Sequence, residues 1–251
     1  MKIKFITINT WHGGKLWDPL VEFIKRENPD IAIMQEVYNG DDENLDKNYR
    51  ALLELRKALN YKYDSFAPNA IIESKIGDIE QGNLILSKFP ILNQKVIFFD
   101  VPYGKFQHEG VHDFRLFPSS LQNAQVDLGD KIVNLFNIHG IWDFHGKDSK
   151  RRLKMSEKIT SQVKDKENVI LAGDFNVNYD TKTIGNVKNY LNNIFDGELK
   201  TSFNMKRKRD GGYATSAVDM IMVSKNIKVL SHLCPEVDLS DHLPLIAELE
   251  I

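Results

Sequence analysis

Asn168-Val169-Ile170-Leu171-Ala172-Gly173-Asp174-Phe175-Asn176 decides how the rest of the chain is read. Val169 to Leu171 form an apolar run bounded by turn residues, the pattern of a strand buried on both faces. Gly173 lets the backbone bend, and the run stops at two polar groups. Asp174 and Asn176 then stand beyond the strand end, where α/β proteins place their ligands. With Phe175 between them, their side chains can point the same way. A carboxylate and an amide side by side suit the gripping and polarising of a water molecule. A plainer reading is an Asx turn that closes the strand, with Asn176 bonding its own backbone.

Other apolar runs end in the same manner. Lys2 to Asn9 alternate as a strand, with Ile3, Phe5 and Thr7 on one side and Lys4, Ile6 and Ile8 on the other, and the run stops at Asn9. Ile31 to Met34 read as a buried strand finishing in Gln35-Glu36. Leu116 to Val126 and Lys131 to Ile138 read as a hairpin whose second arm ends at His139. Asp241 and His242 precede a last strand, Pro244 to Ile251, and Asp219 sits inside the strand Ala217 to Val223. Further strands are expected at Tyr61 to Phe66, Ala70 to Glu73, Gly82 to Ser87 and Val96 to Phe99. Stability does not ask for such endings, so converging strands would gather these groups in one basin.

Helical spacing interleaves with the strands. Asp18-Pro19 reads as an N-cap and first helical residue before Leu20, Phe23 and Ile24, with Asn28-Pro29 as the stop. Asp41 to Asn48 read as a solvated loop or helix start. Tyr49, Leu52, Leu53 and Leu59 suggest a second helix. Ser149 caps a third along Met155, Ile159 and Val163, and Val187, Tyr190, Leu191 and Ile194 suggest a fourth. Val101 to Phe114 are the least regular part. Interleaving over the whole length predicts a single α/β domain, residues 1–251.

Composition narrows the class. The chain has 251 residues, 42% of them hydrophobic, enough for a substantial core. A net charge of −2 does not advertise a broad nucleic-acid surface. The one cysteine, Cys234, excludes an intrachain disulfide and a cysteine-rich zinc site. No apolar run approaches the roughly 20 residues of a membrane span, and Met1 to Asn9 lack a signal-peptide pattern. A cytoplasmic protein without an obligate protein partner is expected.

The gathered groups share a chemistry. Glu36 is a hard oxygen ligand suited to Mg²⁺ or Mn²⁺, and three carboxylates without a soft ligand disfavour zinc. Asn9 could hold a metal-bound water or the phosphate. His139 and His242 could donate to a charged phosphate, and Asp219 could orient His242 and keep it protonated. This is equipment for metal-assisted hydrolysis of a phosphate ester.

The segments Ile8-Asn9-Thr10-Trp11, Met34-Gln35-Glu36-Val37, Gly82-Asn83-Leu84-Ile85-Leu86-Ser87, Asn137-Ile138-His139, Gly173-Asp174-Phe175-Asn176, Val218-Asp219-Met220-Ile221 and Ser240-Asp241-His242-Leu243-Pro244 occur in this order. In them the chain resembles the endonuclease/exonuclease/phosphatase superfamily, over nearly its whole length. The resemblance implies a four-layer αββα sandwich of two mixed β-sheets flanked by helices. It implies that Glu36 binds the divalent metal, with Asn9 and Asp241 nearby. It implies that Asp174 orients or deprotonates the attacking water, helped by Asn176. His242, paired with Asp219, and His139 would stabilise the phosphate in the transition state. Asn83 matches a position that often faces the phosphate.

Loops after the strands choose the substrate in such folds. Trp142, in the loop after His139, could stack on a base, an aromatic leaving group or a sugar, or simply cover the core rim. Arg115 is a further candidate for substrate contact. Lys206 to Arg209 could contact phosphates, but a basic loop is usually just solvated. His12, His108, His112, His145 and His232 are expected to be solvent-facing or locally bonded, with His145 and His112 in loops that could reach the cleft. Ala217-Val218-Asp219-Met220 lacks the Trp-Cys-Asp-Arg sequence of the inositol polyphosphate phosphatases, and Val177-Asn178-Tyr179 departs from the signature of the tyrosyl-DNA phosphodiesterases. The expected activity is a phosphodiesterase or nuclease acting on a phosphate ester, DNA or RNA among them. Alternatives are a phosphatase or phosphodiesterase for a small phosphorylated metabolite or lipid headgroup, or a binding scaffold that has lost catalysis.

Overall fold

The alternation along the strands builds the layers. The structure, a computed structural model, describes residues 1–107, 113–208 and 216–251. In chain order the elements are β1 (Lys2–Asn9), α1 (Trp17–Glu27), β2 (Ile31–Asn39), α2 (Ala51–Ala58), β3 (Tyr63–Ser74), β4 (Gly77–Ser87), β5 (Ile91–Phe98), β6 (Gly104–Gln107), β7 (Ser120–Asp127), β8 (Ile132–His139), α3 (Lys150–Val163), β9 (Val169–Asp174), α4 (Lys182–Lys188), β10 (Leu191–Asn193), β11 (Asp219–Ser224), β12 (Lys228–Leu233) and β13 (Leu245–Glu250). One sheet has the order β12-β13-β1-β2-β4-β3-β6 and the other β10-β11-β9-β8-β7-β5. Each mixes parallel and antiparallel pairs: β1 runs parallel to β2 and β8 to β9, while β13 and β11 join antiparallel.

The two faces of each strand go to different cores. Along β9, Ile170 and Ala172 face the opposite sheet, while Val169 and Leu171 pack with Met155 and Ile159 of α3 and Ile184 of α4. Along β1, Ile3 and Phe5 point between the sheets, and Ile6 and Ile8 pack with Leu20 and Ile24 of α1 and Leu52 of α2. Both faces are therefore dry, and the result is the four-layer αββα sandwich.

At one end of the sandwich the stripes that face between the sheets turn polar. Thr7 and Asn9 continue Ile3 and Phe5; Gln35 continues Ile31 and Ile33; Asn137 and His139 continue Val133 and Leu135; Asp174 continues Ile170 and Ala172. Strand register then lines them up. His139 pairs with Asp174 across β8 and β9, and Asp174 with Asp219 across β9 and β11. The site is thus the polar end of the inter-sheet core.

Several boundaries differ from expectation. The fourth helix stops at Lys188, and Leu191 lies instead in β10, where pairing with β11 overrides its helical spacing. The expected strands Tyr61–Phe66 and Ala70–Glu73 merge into one, β3, which begins at Tyr63 and whose register shifts between Pro68 and Ala70 because proline cannot donate to the ladder. A short strand, β6, falls in the stretch read as irregular, and β12 was not anticipated. In α1, Leu16 occupies the N-cap without a side-chain bond, so Asp18 acts from the first turn. Gly173 lies inside β9 with φ of +133°, and a Cβ there would meet the Ile138 carbonyl oxygen at 2.2 Å. Its role is close approach of β8 rather than a bend after the strand.

Candidate active site

Glu36 reaches the cleft through a β-bulge. Met34 pairs with Leu84 and Val37 with Gly82, so Gln35 and Glu36 together oppose Asn83. The extra residue lets Gln35 point between the sheets while Glu36 turns outward with φ of +60°. Trp11, His12 and Asn176 also hold positive φ. Such backbone is costly for non-glycine residues, and here it gathers where the chemistry is.

A cleft of about 300 Å³ opens over these groups, lined by Glu36, His139, Asp174, Asn176, Asp241 and His242 together with His12, Lys208 and aromatic rings. Asp174 is its centre. Its Oδ1 accepts the Asn176 backbone N–H at 2.8 Å, so the Asx turn does exist, with Asp174 as acceptor. Its Oδ2 accepts from Asn9 Nδ2 at 3.1 Å and lies 3.9 Å from Nε2 of both His139 and His242. Asn9 Nδ2 also donates to Glu36 Oε1 at 3.0 Å, and its own Oδ1 accepts from the Trp11 backbone. One amide therefore holds two carboxylates in place. Asn176 donates its side-chain amide to the Gly140 carbonyl.

Behind His242 stands Asp219, bonded to His242 Nδ1 at 2.8 Å and to the Ser202 hydroxyl at 2.6 Å. Burial alone would disfavour the imidazolium, but Asp219, then Asp174, push His242 up to about 10. For Asp219 burial pushes the carboxyl upward, against the pull of the His242 charge. Glu36 shows the opposite balance: burial works against its charge, yet His12, His139, the His12 backbone N–H and Asn9 hold it down at about 2.

These directions fix a pH prediction. His242 keeps its proton to about pH 10, so Asp219→Asn should move the alkaline limb of kcat/KM down toward the ordinary histidine value of 6.5. The variant should lose more activity at pH 8.5 than at pH 6, and a pH profile parallel to that of the parent would reject the pairing role. The stability linkage has the same sign. A raised histidine contributes fully below 6.5, and the contribution is lost as pH rises through about 10.

The remaining candidates fall in different places. Asn83, expected to face the phosphate, is fully buried beneath the cleft and donates to the Asn137 carbonyl. It follows the inter-sheet stripe of Ile85 and belongs to an amide layer with Gln35, Asn137 and Gln122. Arg115 is exposed, paired with Asp113 at 2.7 Å and placed over the Phe144 ring, outside the cleft lining. Trp142 lines the cleft. Of the basic run, Arg207 pairs with Asp238, while Lys208 enters the cleft 2.9 Å from Asp241; Arg209 lies outside the described residues, as do His108 and His112. His145 is exposed, His232 pairs with Glu198, and His12, half-buried and locally bonded, also lines the cleft 3.6 Å from Glu36.

One contributor, Arg152, escaped the sequence reading, and another, Lys208, entered it only within a basic run that could contact phosphates. Lys208 is held charged: burial works against it, but Asp241, then Glu36 and Asp174, raise it above the ordinary lysine value. Arg152 is fully buried in α3 and donates to the carbonyls of Ile141, Asp143, Lys147 and Asn176, tying the loop after β8 to the loop after β9. Its signal was legible, since Arg152 precedes Met155, Ile159 and Val163 on the same apolar face. Arg152→Met should lower stability by about 3 kcal/mol, because several buried carbonyls lose their donor. That corresponds to a fall of roughly 6–12 °C in Tm for a chain of this size. A melting temperature within 2 °C of the parent, measured by thermal denaturation, would overturn this role.

A hard cation fits the oxygen-rich side of the cleft. Glu36, Asp174 and Asp241 offer three carboxylates, and the Lys208 ammonium beside Asp241 offsets only one of those charges. Asp174, Asp219 and His242 also offer ligand atoms within 4.8 Å of one another. Asp219 and His242 are, however, bonded to each other, and Glu36 and Asp241 are the other carboxylates of the cleft that could hold a cation. Cys234 stays apart, half-buried against the inter-sheet core, with burial pushing its thiol up to about 12.

Two stacked mixed sheets with carboxylates and imidazoles at one mouth are the frame of a phosphoester hydrolase. The sequence profile of the Endonuclease/Exonuclease/phosphatase family matches residues 6–242, and the chain belongs to that family. No curated protein matches it. Among solved structures, an endonuclease/exonuclease/phosphatase from Beutenbergia cavernae is similar at TM-score 0.78 and 14% identity, covering 100% of this chain and 72% of its own. TDP2 of D. rerio, humanized by 14 mutations, matches at 0.70 and 18%, covering 100% and 99%. The mannosyl-6-phosphatase of Bacteroides thetaiotaomicron matches at 0.68 and 17%, covering 99% and 100%. Identities this low speak for the fold alone.

Proposed function

We propose that this family member is a divalent-metal-dependent phosphodiesterase. The observation that carries the reading is Asp174 Oδ2, an acceptor facing the cleft with Asn9 at 3.1 Å and two imidazoles at 3.9 Å. Glu36 and Asp241, supported by Asn9, would hold Mg²⁺ or Mn²⁺, which supplies Lewis-acid polarisation of the ester. Asp174 orients the attacking water and takes its proton at Oδ2. Asn176 sets the turn that aims this carboxylate. His242 donates from Nε2 to a phosphate oxygen as charge develops there, and Asp219 keeps the proton in place. His139 supplies a second imidazole on the opposite flank of Asp174.

We take a diester as the first reading: it brings one negative charge where a monoester brings up to two, and so asks less of the His242 and Lys208 charges and the cation that offset Glu36, Asp174 and Asp241. A nucleic-acid strand and a small diester remain the two substrate forms. The modest cleft volume and the pairing of Arg207, Lys208 and Arg115 with acids favour a small phosphorylated molecule as the second reading. The test is hydrolysis, with Mg²⁺, of bis(p-nitrophenyl) phosphate, p-nitrophenyl phosphate, single-stranded RNA and plasmid DNA. The expected result is at least tenfold higher kcat/KM on the aryl diester than on the monoester. Faster monoester turnover would favour a phosphatase, and no turnover of any diester would overturn the reading.

A further inference from the structure

Aromatic side chains form one wall of the cleft, and the chemistry above gives them no task. Phe114, Phe117 and Trp142 all line it. They belong to a chain of rings: Phe117 to Phe106 at 5.2 Å, Phe106 to Phe114 at 5.8 Å, Phe114 to Trp142 at 6.1 Å and Trp142 to Phe144 at 5.0 Å. The chain begins at the reacting groups, since the Phe117 ring lies 5.8 Å from the His139 ring. It ends in solvent, where Phe144 is 59% and Phe114 40% exposed. At that outer edge Arg115 covers Phe144 at 5.9 Å.

Leaving large rings half in water forfeits burial that a core position would supply, so their gathering beside a reactive centre calls for an occupant. Aliphatic side chains would line a pocket for an alkyl group equally well. Rings add polarizable faces and edges, which favour a flat π-system over a flexible chain. A phosphate held between His139 and His242 would direct one of its ester groups along this wall, because the wall starts at His139.

We propose that the wall of Phe114, Phe117 and Trp142 is a binding subsite for a planar aromatic ring, a nucleobase or an aryl group, carried by the phosphate ester. The inference rests on the phosphodiesterase reading for where the phosphate sits, and it adds the chemical class of the group attached to it. Trp142 is the principal stacking surface, flanked by Phe114, and Phe117 joins the ring to the reacting end. Base stacking on an aromatic side chain corresponds to about a 5- to 150-fold change in affinity.

Two matched pairs of probes test it, each with Mg²⁺. Bis(p-nitrophenyl) phosphate and methyl p-nitrophenyl phosphate share a leaving group and differ in the second ring, and kcat/KM is read. Uridine 5′-monophosphate and ribose 5-phosphate share sugar and phosphate and differ in the base, and affinity is read by calorimetry. The ring-bearing member should be preferred at least fivefold in one pair or both. A preference confined to one pair identifies aryl or nucleobase as the source. Trp142→Ala and, as a second variant at a more exposed ring, Phe114→Ala should each shrink that preference toward unity. Equal handling of both members in both pairs, or a preference that survives both substitutions, overturns the subsite. Absence of hydrolysis of both diesters overturns the phosphodiesterase reading instead, and the calorimetric pair then still decides the subsite.

Discussion

Asp174→Ala is expected to lower kcat/KM on a phosphate diester by about 10²- to 10⁴-fold, the loss associated with a positioned general base. The carboxylate faces a cleft in which every neighbour is arranged around it: Asn9 donates to Oδ2, and the two imidazoles flank the same atom at 3.9 Å. Neither Glu36 nor Asp219 is placed to take over its role, since Glu36 is drawn toward His12 and Asn9, and Asp219 is bonded to His242 and Ser202. The fold should tolerate the change. Asp174 gives up two bonds, one from the Asn176 N–H and one from Asn9 Nδ2, which keeps its bond to Glu36, and the loss of its charge relieves repulsion on Asp219, whose carboxyl is raised first by burial and also by Asp174. Melting within a few degrees of the parent, together with the kinetic loss, separates chemistry from folding. Turnover of the variant within tenfold of the parent would remove Asp174 from the proton-accepting role.

Parity explains how much of this site was legible. A strand whose odd or even residues are aliphatic sends the next residue of that parity to the same face. Ile170 and Ala172 therefore forecast Asp174, and Val133 and Leu135 forecast His139. Asn83 obeys the same rule after Ile85, yet it sits one layer deeper, in contact with Asn137. Parity gives the face of a residue and not its depth, so Asn83 could be placed between the sheets but not below the cleft floor. Glu36 breaks the alternation, because the bulge that turns it outward is a property of pairing with β4.

What stayed hidden was long-range. Lys208 carries no periodic signal, and its ammonium enters the cleft only because Asn204 and Arg207 fasten its loop to Asp238. His12 looked like an ordinary loop residue until its backbone N–H met Glu36. The aromatic wall joins Phe106, Phe114 and Phe117 to Trp142 and Phe144, segments brought together by the β7–β8 hairpin. The short β10 was missed for a similar reason. Leu191 and Ile194 have helical spacing, but backbone pairing to β11 outweighs a helix that would have run past Lys188.

Chelation should take turnover to background, with recovery on addition of Mg²⁺ or Mn²⁺. The physical ground is like charge at close quarters. Glu36, Asp174 and Asp241 converge on one cleft, Glu36 is held ionised at about 2 in spite of burial, and the Lys208 ammonium offsets only part of that charge. A divalent cation bound to the folded state alone adds stability as its concentration rises past Kd, about 2.7 kcal/mol at a hundredfold excess. For a chain of this length that is a rise of roughly 5–11 °C in Tm, readable without any substrate. Asn9→Ala should weaken metal binding about 10- to 100-fold, since it removes the donor that orients Glu36. Glu36→Gln should weaken it further and flatten the thermal response to Mg²⁺. Because Asn9 also bonds Asp174, its substitution should depress turnover even at saturating Mg²⁺, whereas Glu36→Gln should recover in part as Mg²⁺ is raised. Full turnover after rigorous chelation, or a Tm that ignores Mg²⁺ in the parent, would mean that these carboxylates are held together for a purpose other than a cation.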